Sequence, residues 1–173
     1  MEKSLPVDSE HFGIILNALK CCKELRLEKA RVSMKPILLD ALSFITFPNN
    51  IKLVDFVEND LLIDADSDNL KRVFINLLKN AVEAMPNGGT LTITSKTSSN
   101  NVEIIFADTG VGMTEDVLKN IWTPLFTSKS GGMGFGLAIC KRVIEAHGGS
   151  VKAESSVGEG STITVSLPSS KMS

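Results

Sequence analysis

Apolar residues recur along this chain with two different periods, and the changes of period mark its elements. After a loose lead-in over residues 1–10, Ile15, Leu19, Cys22, Leu25 and Leu27 alternate with Lys and Glu, which predicts a helix from about Phe12 to Arg31. "PILLDALSFI" predicts a second helix, with Pro36 in the first turn, where its missing N–H costs nothing. "IKLVDFV" and "LLIDA" read as short strands divided by the polar "END". The strongest helical signal comes next: Leu70, Val73, Phe74, Leu77, Leu78, Ala81, Val82 and Met85 fall at spacings of three and four. Asp66 or Ser67 can cap that helix, and "PNGG" stops it. "TLTITSK" and "VEIIFAD" alternate as paired strands. "DTGVGM" follows, and then a short helix capped by Thr114. A loop rich in Gly, Ser and Thr over about 123–134 leads into the helix "GLAICKRVIEAH", which ends at Gly148–Gly149. "SVKAES" and "STITVSLP" are the last two strands.

Helices and strands interleave, but several strands are hairpin neighbours. The expected fold class is therefore α+β: a two-layer α/β sandwich with a mixed, mainly antiparallel sheet packed on helices. The length of 173 residues suits one domain with a short extra element. The expected division is residues 1–32 as an N-terminal helical segment, 33–168 as the main domain and 169–173 as a tail.

Composition narrows the class. Hydrophobic content of 43% and charged content of 22% fit a folded globular protein. The formal net charge is -2 and the basic residues are scattered, so no nucleic-acid partner is expected. Cys21, Cys22 and Cys140 have neither metal-ligand nor redox spacing and read as reduced thiols of a cytoplasmic protein. The run "FGIILNAL" is far short of a membrane span, so any membrane anchor of a longer parent is expected outside these residues.

Four stretches can carry chemistry. Asn76, Asn80 and Glu83 share one stripe of the long helix, away from its apolar face. Such a stripe is ordinarily a solvated face, yet Asn is a mediocre helix former, and its amide oxygen is a hard ligand suited to Mg²⁺. "GGMGFGLAI" runs glycines into a helix start, where unsatisfied N–H groups and the dipole favour an anion; a plain flexible loop would look the same. It is neither a Walker loop nor a dinucleotide fingerprint. "DTGVGM" can be a β-turn, or a carboxylate that accepts from the exocyclic amine of adenine beside glycines that clear room for the base. "GEGST" at 158–162 is the fourth.

In this order, with strands between them, the four resemble the ATP-binding domain shared by sensor histidine kinases, type II topoisomerases, heat-shock chaperone ATPases and MutL proteins. The resemblance covers roughly residues 33–168. It is strongest to the catalytic domain of two-component sensor histidine kinases. "NLLKNAVEA" is similar to that family's asparagine box, "DTGVGM" to its first glycine box, "WTPLFTSK" to its phenylalanine box and "GMGFGLAICKRVIEAHGG" to its second glycine box. The resemblance implies the Bergerat-type fold with ATP and Mg²⁺ as cofactors. Asn80 would hold the Mg²⁺, supported by Asn76, and Lys129 would reach the γ-phosphate. Asp108 would take the adenine amine beside Gly110, Gly112 and Met113, with Thr162 helping through water. Residues 123–135 would form a lid, with Gly132, Gly134, Gly136 and Leu137 around the phosphates.

The chain departs from the family where Met133 stands for Thr, Phe135 for Leu and Glu83 for a basic residue; Lys79 or Lys129 could supply the contact missing at Glu83. The family phosphorylates a histidine in a box of the form HExxxP on a helical hairpin. His11, followed by "FGII", does not match it, and His147 ends a helix. The implied partners are therefore a phosphoacceptor histidine domain in a missing part of the protein or on another chain, a response regulator, and a second copy paired through the N-terminal helix. Relatives that hydrolyse ATP carry a Glu base where Asn76 stands, which cannot act as a base. That favours transfer to a protein over the rival readings, an ATP-hydrolysing switch, a serine kinase of the same fold, or a nucleotide-sensing or dimerisation module without catalysis.

Overall fold

Leu70, Val73, Phe74, Leu77, Leu78 and Ala81 are all buried, so the apolar stripe read from the sequence is the inner face of a helix. The computed structural model describes residues 25–126 and 134–170. Its elements are β1 (Ala30–Ser33), α1 (Met34–Ser43), β2 (Ile51–Phe56), β3 (Leu62–Ala65), α2 (Ser67–Glu83), β4 (Gly89–Thr97), β5 (Asn101–Asp108), α3 (Glu115–Asn120), α4 (Gly136–Ala146), β6 (Ser150–Ser156) and β7 (Gly160–Pro168).

The main sheet has five strands in the order β2-β4-β5-β7-β6. β2 runs parallel to β4, and the other pairs are antiparallel. Helices α1, α2 and α4 cover one face, with α2 packed between the other two. Leu91, Ile93, Val102, Ile104, Phe106, Val165 and Leu167 of the sheet meet them in one core. Phe74 of α2 and Phe106 of β5 form a tilted aromatic pair with centroids 5.7 Å apart. Fully burying each such side chain contributes about 1.5–3 kcal/mol. The α+β sandwich with a mixed sheet is as the sequence predicts.

Local signals explain the element ends. Asp66 caps α2, its Oδ1 accepting from the Asn69 N–H at 3.0 Å. Thr114 caps α3 through Val117 N–H at 3.4 Å. At the end of α4, Gly148 (φ 79°) donates to Glu145 O and Gly149 to Ile144 O, a Schellman closure.

One expectation fails. The helix predicted through Arg31 does not reach that far: residues 25–29 are in neither helix nor strand, and Ala30–Ser33 form β1. The cause is tertiary, since β1 pairs antiparallel with β3 from Ala30↔Ala65 to Ser33↔Leu62. The part of that predicted helix before residue 25, and His11, Cys21 and Cys22, lie outside the described residues. Among the described residues no helix is long and apolar enough to cross a membrane.

Candidate functional site

β5 ends at Asp108, and the loop after it is fastened on two sides. Toward α2, Val111 N–H donates to the Ala84 carbonyl at 2.9 Å. Toward the β6–β7 hairpin, Gly158 N–H donates to Val111 O at 2.8 Å, and Met113 N–H to Ser155 Oγ at 2.9 Å. Gly110 passes so close to the Ala84 carbonyl that a Cβ there would collide with it. Gly112 has φ 68°, and a Cβ would strike the Ser156 carbonyl. Both glycines are thus required by the fold as well as suited to a site.

Asp108 itself is half-buried. Its Oδ1 accepts from Gly110 N–H at 2.9 Å and from Ser161 N–H at 3.3 Å, which fixes the plane of the carboxylate. The register sets Asp108 opposite Ser161 and Ala107 opposite Thr162. Ser161 has the parity of the core residues Val165 and Leu167, whereas Thr162 falls on the face turned away from the helices. Ser161 is therefore the residue directly beside Asp108, and Thr162, expected to help through water, lies opposite Ala107. Ser161 Oγ pairs with Ser155 Oγ at 2.8 Å, and Ser155 Oγ also donates to Gly160 O at 2.9 Å. Ser161 lies within the "GEGST" stretch but is not singled out by the sequence, and Ser155 lies outside all four stretches; the hairpin register, Ser155↔Ser161, brings the two together.

On α2, Asn76 and Asn80 are one turn apart and both half-buried. Asn76 faces the start of α4: its Oδ1 lies 2.6 Å from the point where a Cβ of Gly136 would sit. The N-cap residue of α4, Phe135, offers that helix start no side-chain cap. The C-terminal part of α2 thus borders the glycine start of α4 at Asn76 and the Asp108 loop at Ala84. Leu137 is half-buried against the core. Gly134 (φ 70°) lies against the backbone of Leu125 and Phe126, bringing residues 126 and 134 side by side. Lys129, Gly132 and Met133 lie outside the described residues. Glu83 and Lys79 are exposed.

A magnesium ion fits this donor set. Among the described residues no three His, Cys, Asp or Glu side chains form a cage. Mg²⁺ does not need one, because it is held through one or two protein oxygens, ligand phosphates and retained waters.

Residues 65–171 match the family described as histidine kinase-, DNA gyrase B- and HSP90-like ATPase. Sporulation kinase B of Bacillus subtilis (strain 168) is 35% identical over 160 residues, 90% of this chain and 37% of that protein. The chain thus spans little more than a third of that relative. The catalytic domain of histidine kinase ThkA superposes with a TM-score of 0.73 at 29% identity, over 82% of this chain and 96% of that one. Full-length ShkA in complex with AMPPNP shares the fold, with a TM-score of 0.79 at 23% identity over 92% of this chain and 35% of that one. The chain belongs to the histidine kinase-, DNA gyrase B- and HSP90-like ATPase family, and it is an ATP-binding catalytic domain of the sensor histidine kinase type.

Proposed function

We propose that this chain binds MgATP between Asp108, Asn80 and the start of α4 and donates the γ-phosphoryl group to a histidine on a helical-hairpin domain, as the ATP-binding part of a two-component sensor kinase. The observation that carries this reading is Asn76 set against Gly136, where an amide stands at the mouth of a helix whose N-cap residue, Phe135, offers no side-chain cap. An amide can orient a phosphate or a metal-bound water, but it cannot deprotonate water. A site without that base is suited to a nucleophile delivered by another domain.

In this reading Asp108 selects adenine through its amine, with Ser161 as the neighbouring hydroxyl. Gly110, Gly112 and Met113 shape the base pocket. Asn80 holds Mg²⁺ with Asn76 beside it, and Gly132, Gly134, Gly136 and Leu137 enclose the phosphates. Lys129 reaches the γ-phosphate. Bound Mg²⁺ would supply charge neutralisation across the phosphate oxygens. The chain's own contribution is orientation, with the N–H groups at the start of α4 facing the charge that moves.

The acceptor hairpin, a response regulator and a second copy paired through residues before β1 are the proposed partners. Histidine kinase ThkA itself forms a crystalline complex with response regulator protein TrrA. The test is to mix the chain with a separate helical-hairpin domain and γ-labelled ATP. Acid-labile, base-stable label on the hairpin is expected. Acid-stable label would indicate a serine kinase, and robust hydrolysis by the chain alone would replace the transfer reading with an ATPase.

A further inference from the structure

His147 is 3% exposed, and the chemistry above makes no use of it. Its Nδ1 lies 2.7 Å from the Val143 carbonyl, and its Nε2 lies 3.0 Å from the Asp66 N–H. A carbonyl can only accept and a backbone N–H can only donate. The ring must therefore be neutral, with the proton on Nδ1 and a lone pair on Nε2. Asp66 is the N-cap of α2, and its second oxygen accepts from Glu28 N–H at 2.9 Å. The end of α4, the start of α2 and the chain entering β1 therefore meet in one bonded junction.

The geometry links that junction to the nucleotide site. From Asp66 to Asn76 is ten residues and from Gly136 to His147 eleven, about 15 and 16.5 Å of helix at 1.5 Å per residue. The two helices lie side by side and antiparallel. They are joined at one end by Asp66 and His147 and meet at the other where Asn76 faces Gly136. Between these points Cys140 Sγ lies 3.9 Å from Val73 O. With two rods of matched length, a shift at the histidine end changes the gap at the asparagine end.

We propose that His147 is a positioning residue of the nucleotide site, holding α4 on α2 through the Asp66 N–H so that the start of α4 keeps its place against Asn76. A protonated ring would set an N–H donor against the Asp66 N–H and break the junction. Burial disfavours that form and pushes the His147 pKa below its usual range. The Lys29 charge adds to this, against the pull of the Val143 carbonyl and the Asp66 carboxylate. The proposal rests on the nucleotide reading for its affinity readout, whereas the tautomer stands independently of it.

Long-range ¹⁵N NMR of the full chain reads the ring directly. The neutral Nδ1–H tautomer is expected at pH 7, and an Nε2–H tautomer or an imidazolium there overturns the proposal. MgATP should lower the pH at which the ring titrates, because binding and deprotonation favour the same junction. If saturating nucleotide leaves that midpoint unmoved, the coupling is absent. Two variants complete the test. His147→Gln can still accept from Asp66 N–H and should bind MgATP within threefold of the parent. His147→Leu cannot, and should bind at least tenfold more weakly. A folded His147→Leu that binds like the parent overturns the proposal. If neither parent nor variant binds MgATP, the nucleotide reading fails instead, while the tautomer result still stands.

Discussion

Gly136→Ala separates the fold from the site within a single methyl group. The new Cβ would sit 2.6 Å from Asn76 Oδ1 and 3.3 Å from its Cγ. Ordinary contact begins near 3.4 Å, so the amide oxygen must retreat by about 0.8 Å. The obstacle is the end of a flexible side chain and not backbone, so a turn of the Asn76 side chain relieves it at low cost. Ala is also the better helix former, by up to about 1 kcal/mol in a helix interior and less at this first position. The net change in stability should fall within about 1 kcal/mol, a shift in Tm of about 2–4 °C in either direction. Nucleotide binding should respond differently. Displacing Asn76 removes a hydrogen bond to a charged group, worth about 1.5–3 kcal/mol, or roughly 10- to 100-fold in Kd. Thermal melting paired with titration of a fluorescent ATP analogue in Mg²⁺ measures both effects. An unchanged Tm with affinity within twofold of the parent would show that Asn76 does not serve the nucleotide. A Tm lowered by more than about 10 °C would refute the premise that the amide can move aside.

Asp108→Asn should weaken ATP binding by about tenfold or more and reduce the preference for adenine over guanine nucleotides, as read by competition titration; unchanged selectivity would remove the adenine role. Gly112→Ala forces a left-handed residue against the Ser156 carbonyl and should cost about 2–4 kcal/mol in chemical denaturation. His147 also makes stability depend on pH. Its folded pKa is lowered, so the unfolded chain binds the extra proton first as the pH drops. The stabilisation is complete above about pH 6.5 and is lost below it, at up to about 1.4 kcal/mol per pH unit until the folded ring titrates. His147→Gln should flatten that slope in melts between pH 5 and 8. Burial pushes the Cys140 thiol up to about 12, so it should resist iodoacetamide at pH 8 in the native chain and react once the chain is unfolded.

How much of this could be read in advance follows from the range of the forces involved. α2 was legible because its buried residues, Leu70 through Ala81, sit at helical spacing within one short window. Asp66, Thr114 and Gly148 were legible as caps because capping involves only near neighbours. β1 was not. Four residues, "ARVS", are too few for their alternation to stand out, and the helical spacing of Ile15, Leu19, Cys22 and Leu25 leads up to them; the strand exists because β3 pairs with it. The residue beside Asp108 was not singled out, because a single step in register moves a side chain to the other face of the sheet, and register is set by the whole β5–β7 ladder. His147 could be recognised as a helix end, but its bond to Asp66 crosses 81 residues and leaves no local trace.

The same contacts bear on where the chemistry must come from. Each polar group that the fold fixes at this site holds or orients. Oδ1 of Asp108 is pinned by two N–H groups, Asn76 is an amide set against a helix start, and Ser155 and Ser161 are bonded to each other. The acid on the asparagine face, Glu83, is exposed and lies seven residues, about two turns of helix, beyond Asn76. A carboxylate at that distance cannot share a water with a phosphate held at Asn76. On the proposed reading the site gains its rate from orientation and charge placement, and those act only when an attacking nitrogen is brought into line. On that reading, having an amide at Asn76 in place of a base has a use. Bound ATP persists until the partner histidine arrives, so docking of the hairpin, and not binding of nucleotide, becomes the event that starts transfer.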